Sequence, residues 1–220
     1  MNSLNTPVVA TLLDELFRAS NVTKAEFSQR LAALRGAERQ RMLGDESHRA
    51  LYAYARDAHL AISPETGRLL YLFARLIDAR TIVEFGTSFG VSTIHLAAAV
   101  RDNGSGMVYG TEFEPSKANR ARANLTAAGL AAYAEILEGD AVNTLDANMP
   151  PVVDLLFLDG AKSLYAEIFR KTDPQMRVGS VVIADNAEGS TEYLELLRRD
   201  HRYQSARVGD DVEVSVKLEA

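Results

Sequence analysis

Residues 81–90, Thr81-Ile82-Val83-Glu84-Phe85-Gly86-Thr87-Ser88-Phe89-Gly90, constrain the fold more than any other stretch of the chain. A short apolar run ends in an acid, and glycines follow two and six residues after that acid. The run predicts a buried parallel strand, the glycines a tight turn, and Val91-Ser92-Thr93 the start of a helix. Glycine has no Cβ, so such a turn brings the backbone close to a ligand at the carboxyl end of the strand.

The pattern continues with alternating strands and helices. Strands are predicted at 81–85, 107–112, 134–138, 153–158 and 180–184, and helices at 91–101, 115–128, 141–147, 162–171 and 190–199. Ser63-Pro64-Glu65 is a helix start, with Ser as N-cap and Pro at the first helical position, for a helix running to about Ile77. Gly209-Asp210-Asp211 separates two strand-like runs, Tyr203–Val208 and Val212–Leu218, which predicts an antiparallel hairpin at the sheet edge. Upstream, residues 8–60 read as helices. Leu12, Leu13, Leu16 and Phe17 make one apolar face, Leu31 and Leu34 belong to a second, and a third segment from Asp45 to Ala58 carries Leu51, Tyr52 and Tyr54. The expected fold is α/β: a doubly wound, mostly parallel sheet with an antiparallel C-terminal hairpin and N-terminal helices. Residues 1–60 read as an appendage for substrate cover and dimer contacts, and residues 61–220 as the cofactor-binding domain.

The turn is not the dinucleotide fingerprint, whose close glycine pair brings backbone to a pyrophosphate. Here the spacing is Glu84-x-Gly86-x-x-x-Gly90, and an acid there repels a pyrophosphate but suits an amino-bearing ligand, directly or through water. A second strand ends in Glu112, where a carboxylate can accept hydrogen bonds from both ribose hydroxyls, a feature nicotinamide enzymes share, with Glu114 as the competing acid. At this turn the chain resembles the class I S-adenosylmethionine-dependent methyltransferases, a Rossmann-like family. The resemblance implies S-adenosyl-L-methionine as cofactor. It places Ile62, Glu84, Gly86, Thr87, Ser88, Gly90, Ser92, Glu112, Gly139, Asp140, Ala141 and Asp159 around it, with Ser92 on the donor carboxylate and Ile62 sheltering the methyl. Asp140 reads equally as an acceptor for the adenine amine and as the N-cap of helix 141–147.

The fourth strand ends in Asp159-Gly160-Ala161-Lys162 and the fifth in Asp185-Asn186, so three oxygen donors meet on one rim of the sheet. Carboxylate and amide oxygens without His or Cys favour a hard cation such as Mg²⁺ or Ca²⁺ over Zn²⁺. Here the chain looks like the cation-dependent O-methyltransferases, the catechol and caffeoyl-CoA group with their bacterial relatives. That resemblance runs from about Ile62 to Lys217. It implies Asp159, Asp185 and Asn186 as ligands of Mg²⁺ (or Ca²⁺ or Mn²⁺), Lys162 as general base, and methyl transfer to a hydroxyl of a small phenolic or catechol-like molecule. The family's aromatic before the Lys is Ala161 here, and the segment from Ala187 to His201 is short, which implies a wider pocket closed by the N-terminal helices or a partner subunit. Glu213 reads as an exposed hairpin residue; its alternative role is to hold a second acceptor hydroxyl.

Composition narrows the classes. The chain has 220 residues, 47% of them hydrophobic, a formal net charge of −6 and no Cys. The negative balance disfavours a general nucleic-acid binder, and the absence of Cys excludes disulfides, thiolate metal sites and Cys nucleophiles. No signal-like start and no apolar window of membrane-spanning length are visible, so the expected location is cytoplasmic and the expected assembly a homodimer. His48, His59, His95 and His201 have no spacing of a triad or metal site. The alternative to the enzyme is a noncatalytic or metal-independent S-adenosylmethionine-binding protein. A nicotinamide-dependent reductase is disfavoured by the turn spacing.

Overall fold

A computed structural model describes residues 2–36, 52, 54–209 and 211–220. In chain order the elements are α1 (Pro7–Ala33), α2 (Pro64–Leu76), β1 (Thr81–Phe85), α3 (Val91–Asp102), β2 (Met107–Glu112), α4 (Pro115–Ala127) and β3 (Ala134–Glu138). There follow α5 (Ala141–Asn148), β4 (Val153–Leu158), α6 (Tyr165–Thr172), β5 (Met176–Asp185), α7 (Thr191–Arg199), β6 (Tyr203–Val208) and β7 (Val212–Lys217). The strands form one sheet in the order β3-β2-β1-β4-β5-β7-β6. β3, β2, β1, β4 and β5 are parallel, and β7 and β6 continue the sheet antiparallel. The order reverses between β1 and β4, the crevice where a doubly wound sheet binds its ligand.

Burial explains why these strands are central. Every residue of β4 from Val153 to Leu158 is buried, as expected of a strand covered on both faces. Each fully buried Leu or Ile contributes about 1.5–3 kcal/mol. α3 is buried from Val91 to Val100 because α2 lies across it. The crossing is close: a Cβ on Gly67 of α2 would lie 2.6 Å from His95 Nε2. Val9, Leu13 and Leu16 of α1 join the same core as Leu70, Ile94 and Leu155. Ser63 caps α2 as expected, its side chain accepting from the Thr66 amide.

Three boundaries differ from the sequence reading. α1 is a single helix to Ala33, so Leu31 lies on the same helix as Leu16, and Leu34 just beyond it. β5 starts at Met176 rather than residue 180; the register with β4 shifts between Val153 and Leu155, and Gly179 takes φ +89°. The helix predicted at 162–171 opens with a separate 3₁₀ turn, Lys162–Leu164. The expectation for Asp45 to Ala58 falls largely on residues outside those described, as does Asp210 of the hairpin turn.

Candidate active site

The turn after β1 is held from beneath. Glu84 is fully buried and accepts hydrogen bonds from Thr87 Oγ1 at 3.0 Å and Thr93 Oγ1 at 2.5 Å. Burial pushes its carboxyl above the ordinary range while these hydroxyls pull the other way. Gly86 takes φ +98°, and a Cβ there would lie 2.6 Å from the Asp159 carbonyl oxygen. The turn therefore packs directly on the end of β4, which only glycine permits. Gly90, at φ +85°, is the N-cap of α3.

Two adjoining cavities share Gly86 at their boundary. One is lined by Glu112, Gly139, Asp140 and Ala141, with Tyr52 and Phe113 also on its wall. Glu112 Oε2 accepts from the Ser88 amide at 2.7 Å and Oε1 from the Glu114 amide at 2.8 Å, which fixes the carboxylate at the end of β2. Burial raises its pKa, partly opposed by the Glu114 amide and the Lys117 charge. Asp140 caps α5 by accepting from the Val142 amide at 3.2 Å. The other cavity is lined by Thr87, Ser88, Ser92, Ile62 and Asp159, under a strap of residues 59–62. Among the described residues, the buried polar atoms with no hydrogen-bond partner include two on residues lining this cavity, Ser88 Oγ and His59 Nδ1. Buried polar groups are rarely left unpaired, so this grouping points to a polar ligand.

Asp159 also borders a third space, a cleft of about 900 Å³. Lys162, Asp185 and Asn186 line its inner end, and Phe17, Asn21 and Lys24 of α1 its outer wall. Lys162 Nζ donates to Tyr165 Oη at 2.6 Å and to the Asp185 carbonyl at 3.0 Å, and sits 3.4 Å from Asp159 Oδ1. Burial pushes the Asp159 carboxyl up to about 6, against the Lys162 charge. Burial, then the charge of Asp159, pushes Asp185 up to about 7. Asn186 is exposed, at φ +49°, and its Nδ2 donates to Asp211 Oδ2 at 2.8 Å, leaving its carbonyl oxygen for another partner. Among the described residues no three His, Cys, Asp or Glu side chains gather closely enough to hold a metal; the oxygen set here is two carboxylates and an amide.

The geometry has counterparts. Residues 83–187 match a methyltransferase domain family. Catechol O-methyltransferase of Mycobacterium tuberculosis is 34% identical over 149 residues, covering 66% of this chain and 67% of that protein. Catechol O-methyltransferase of Niastella koreensis is 32% identical over 155 residues, covering 67% of each. The chain belongs to the class I S-adenosylmethionine-dependent O-methyltransferases. The O-methyltransferase TomG of Streptomyces achromogenes, involved in tomaymycin synthesis and solved in complex with S-adenosylmethionine, has the same fold, with a TM-score of 0.67. It is 27% identical, and the match covers 93% of this chain and 99% of that one. As an O-methyltransferase of this class, the chain binds S-adenosylmethionine.

In this O-methyltransferase most of the residues expected from the sequence reach one of the three spaces. Glu84 and Gly90 do not: they lie beneath the turn and hold its shape. Glu213 is neither exposed nor at the acceptor end. It is 3% exposed, and Arg198 binds both its oxygens at 2.9 Å. Sequence reasoning missed Tyr165, fully buried behind Lys162, with its hydroxyl 2.8 Å from the Leu158 carbonyl and 2.9 Å from that of Asp185. The signal was an aromatic three residues after the Lys. It also missed Tyr52, whose hydroxyl accepts from the Ala161 amide at 3.0 Å, and His59, for which no motif gave a sign. Among the described residues no helix is long and apolar enough to cross a membrane.

Proposed function

We propose that the enzyme methylates a hydroxyl of a phenolic, catechol-like acceptor with the help of a divalent cation. The observation that carries this reading is that Asp159 borders both the cavity lined by Ile62, Ser88 and Ser92, to which the reading assigns the methionyl end of the donor, and the wide cleft beyond it. An acceptor in the cleft then meets the donor at the rim where Asp159, Lys162, Asp185 and Asn186 converge. The donor set fits a hard cation: neighbouring strands β4 and β5, paired at Leu158 and Ala184, lead into a half-buried carboxylate at Asp159, a buried one at Asp185 and an amide oxygen at Asn186. Lys162 is the one cation that the described ion pairs place on either acid.

When bound, S-adenosylmethionine supplies an electrophilic methyl on a sulfonium, and Mg²⁺, Ca²⁺ or Mn²⁺ supplies Lewis-acid stabilisation of an ionised acceptor oxygen. Asp159, Asp185 and Asn186 would hold the cation. Lys162 Nζ, held by Tyr165 and the Asp185 carbonyl, would take the acceptor's hydroxyl proton as the neutral amine, after giving its own proton to solvent. The β1 turn, Glu112 and the strap at residues 59–62 orient the donor, and orientation of this kind can supply on the order of 7–11 kcal/mol. A cleft of about 900 Å³ stands near the upper end of ordinary ligand sites and leaves room for an acceptor larger than a simple catechol. α1 closes it, and a homodimer, tested by light scattering, is part of the same reading. The test is a screen of vicinal-diol phenols of increasing size with Mg²⁺ and with chelator. Turnover that survives excess chelator removes the cation from the mechanism.

A further inference from the structure

His59 lies in the strap over the donor cavity and was not among the expected cofactor residues. Its ring stacks on Phe89 with centroids 3.6 Å apart and 13° between planes. Its main chain is clamped to α1: the His59 amide donates to Thr23 Oγ1 at 3.0 Å, and its carbonyl accepts from Ser20 Oγ at 2.7 Å. Lys24 Nζ holds the next turn of strap by donating to the Ala61 carbonyl. The imidazole is thus fixed in orientation before any ligand arrives. Its Nδ1 is buried without a partner, on the wall that also carries Ser88 and Ser92.

We propose that His59 donates its Nδ1–H to the carboxylate of the donor's methionyl end, as a cofactor-binding residue. This rests on the placement of that end in the cavity beneath the strap. Charge decides which end of the amino acid faces the ring. Burial, then the charges of Arg120 and Lys117, hold the imidazole below its ordinary pKa, so it is neutral with one N–H to give. Neither cation lines the cavity, and Lys117 also feels Glu112, Glu114 and Asp57, but both act on the imidazole and favour an anion over the α-ammonium beside it. Lys117 Nζ also lies 5.7 Å from the Phe89 ring centre. The α3 N-terminus, opening at Val91 and Ser92 on the same cavity, adds a partial positive charge. The cavity's acid, Asp159, is left to the ammonium.

Calorimetry with two ligands separates this contact from packing. S-adenosylhomocysteine carries the carboxylate; 5′-methylthioadenosine lacks it. His59→Phe keeps a ring on Phe89 and removes both nitrogens. The dissociation constant for S-adenosylhomocysteine should rise about 10- to 100-fold, the effect of losing a hydrogen bond to a charged group, while that for methylthioadenosine stays within about twofold. Equal losses for both ligands, or none for either, overturn the inference. Failure of the wild-type protein to bind S-adenosylhomocysteine overturns the placement of the cofactor instead. Where the variant folds poorly, histidine ¹H–¹⁵N spectra of the wild type decide. S-adenosylhomocysteine should fix His59 as the Nδ1–H form, and an Nε2–H form in that complex contradicts the proposal.

Discussion

Replacing Glu112 tests how the second strand grips the donor. Both carboxylate oxygens already accept backbone amides, from Ser88 at 2.7 Å and Glu114 at 2.8 Å, and the residue is 8% exposed. The side chain joins the end of β2 to the β1 turn, and we propose that its remaining lone pairs accept from ribose hydroxyls. In Glu112→Gln one end becomes an amide nitrogen, which cannot accept. One buried N–H then faces a donor, at a cost of about 1–3 kcal/mol. For a chain of this size that lowers Tm by roughly 2–4 °C per kcal/mol. Donor binding should weaken by about 10- to 100-fold, the loss of a charge-assisted hydrogen bond. Glu112→Asp keeps the charge but is one methylene too short to reach both amides, and should fail to restore either property. Calorimetry with S-adenosylhomocysteine and thermal unfolding read the two effects separately. A Gln variant with wild-type affinity refutes the ribose contact. An Asp variant as tight as wild type shows that charge alone suffices and the bidentate geometry does not matter.

The remaining predictions address chemistry, pocket and stability. Asp185→Ala should abolish cation-dependent turnover yet leave the S-adenosylhomocysteine dissociation constant within about threefold of wild type, since Asp185 lines only the acceptor cleft; a large loss of donor binding would place it wrongly. Ala161→Trp should cut activity on bulky phenols more than on small ones, and equal losses at every acceptor size would sink the open-cleft reading. His95 is 3% exposed, and burial lowers its pKa to about 4 although its ring bonds the Val91 carbonyl at 2.8 Å. Its folded pKa lies below its unfolded one, so the unfolded chain takes the proton first, and stability present above pH 6.5 is lost as pH falls towards 4. The loss is about 3 kcal/mol, read by urea unfolding across that range; a His95 resonance that titrates near pH 6.5 in the folded protein would contradict it. Asp173 works the other way from a carboxyl pushed up. Burial raises its pKa, but Lys217, Tyr203 and Arg202 outweigh that and lower it, so its stabilisation is present above the ordinary carboxyl range and is lost as pH falls through its folded value.

Where residue type and period pointed the same way, the fold was legible. The β1 run, its glycine turn and the Ser63 cap each have one local solution, and the strand ends bring Asp159 and Asp185 together by topology alone. The misreadings have physical causes. Gly179 looks like a strand breaker but sits where the β5 register shifts, so the strand extends beyond it. The apolar faces at Leu12 to Phe17 and at Leu31 and Leu34 read as separate, yet Thr23 bonds back to the Ala19 and Ser20 carbonyls and one helix runs on to Ala33. Ser20, Thr23 and Lys24 of that helix carry the strap, which no local pattern could announce. Glu213 looked like a surface acid because the distant Arg198 that neutralises it is visible only in three dimensions.

The most direct test of the account is the fate of the methyl carbon. Purified enzyme, S-[methyl-¹³C]adenosylmethionine, Mg²⁺ and a bulky vicinal-diol phenol should yield one labelled aryl methyl ether, with the ¹³C on oxygen. Lys162→Ala should lose that product while still binding S-adenosylhomocysteine. Label on nitrogen or carbon, or no transfer to any hydroxyl by an enzyme that binds the donor, would contradict the proposed chemistry.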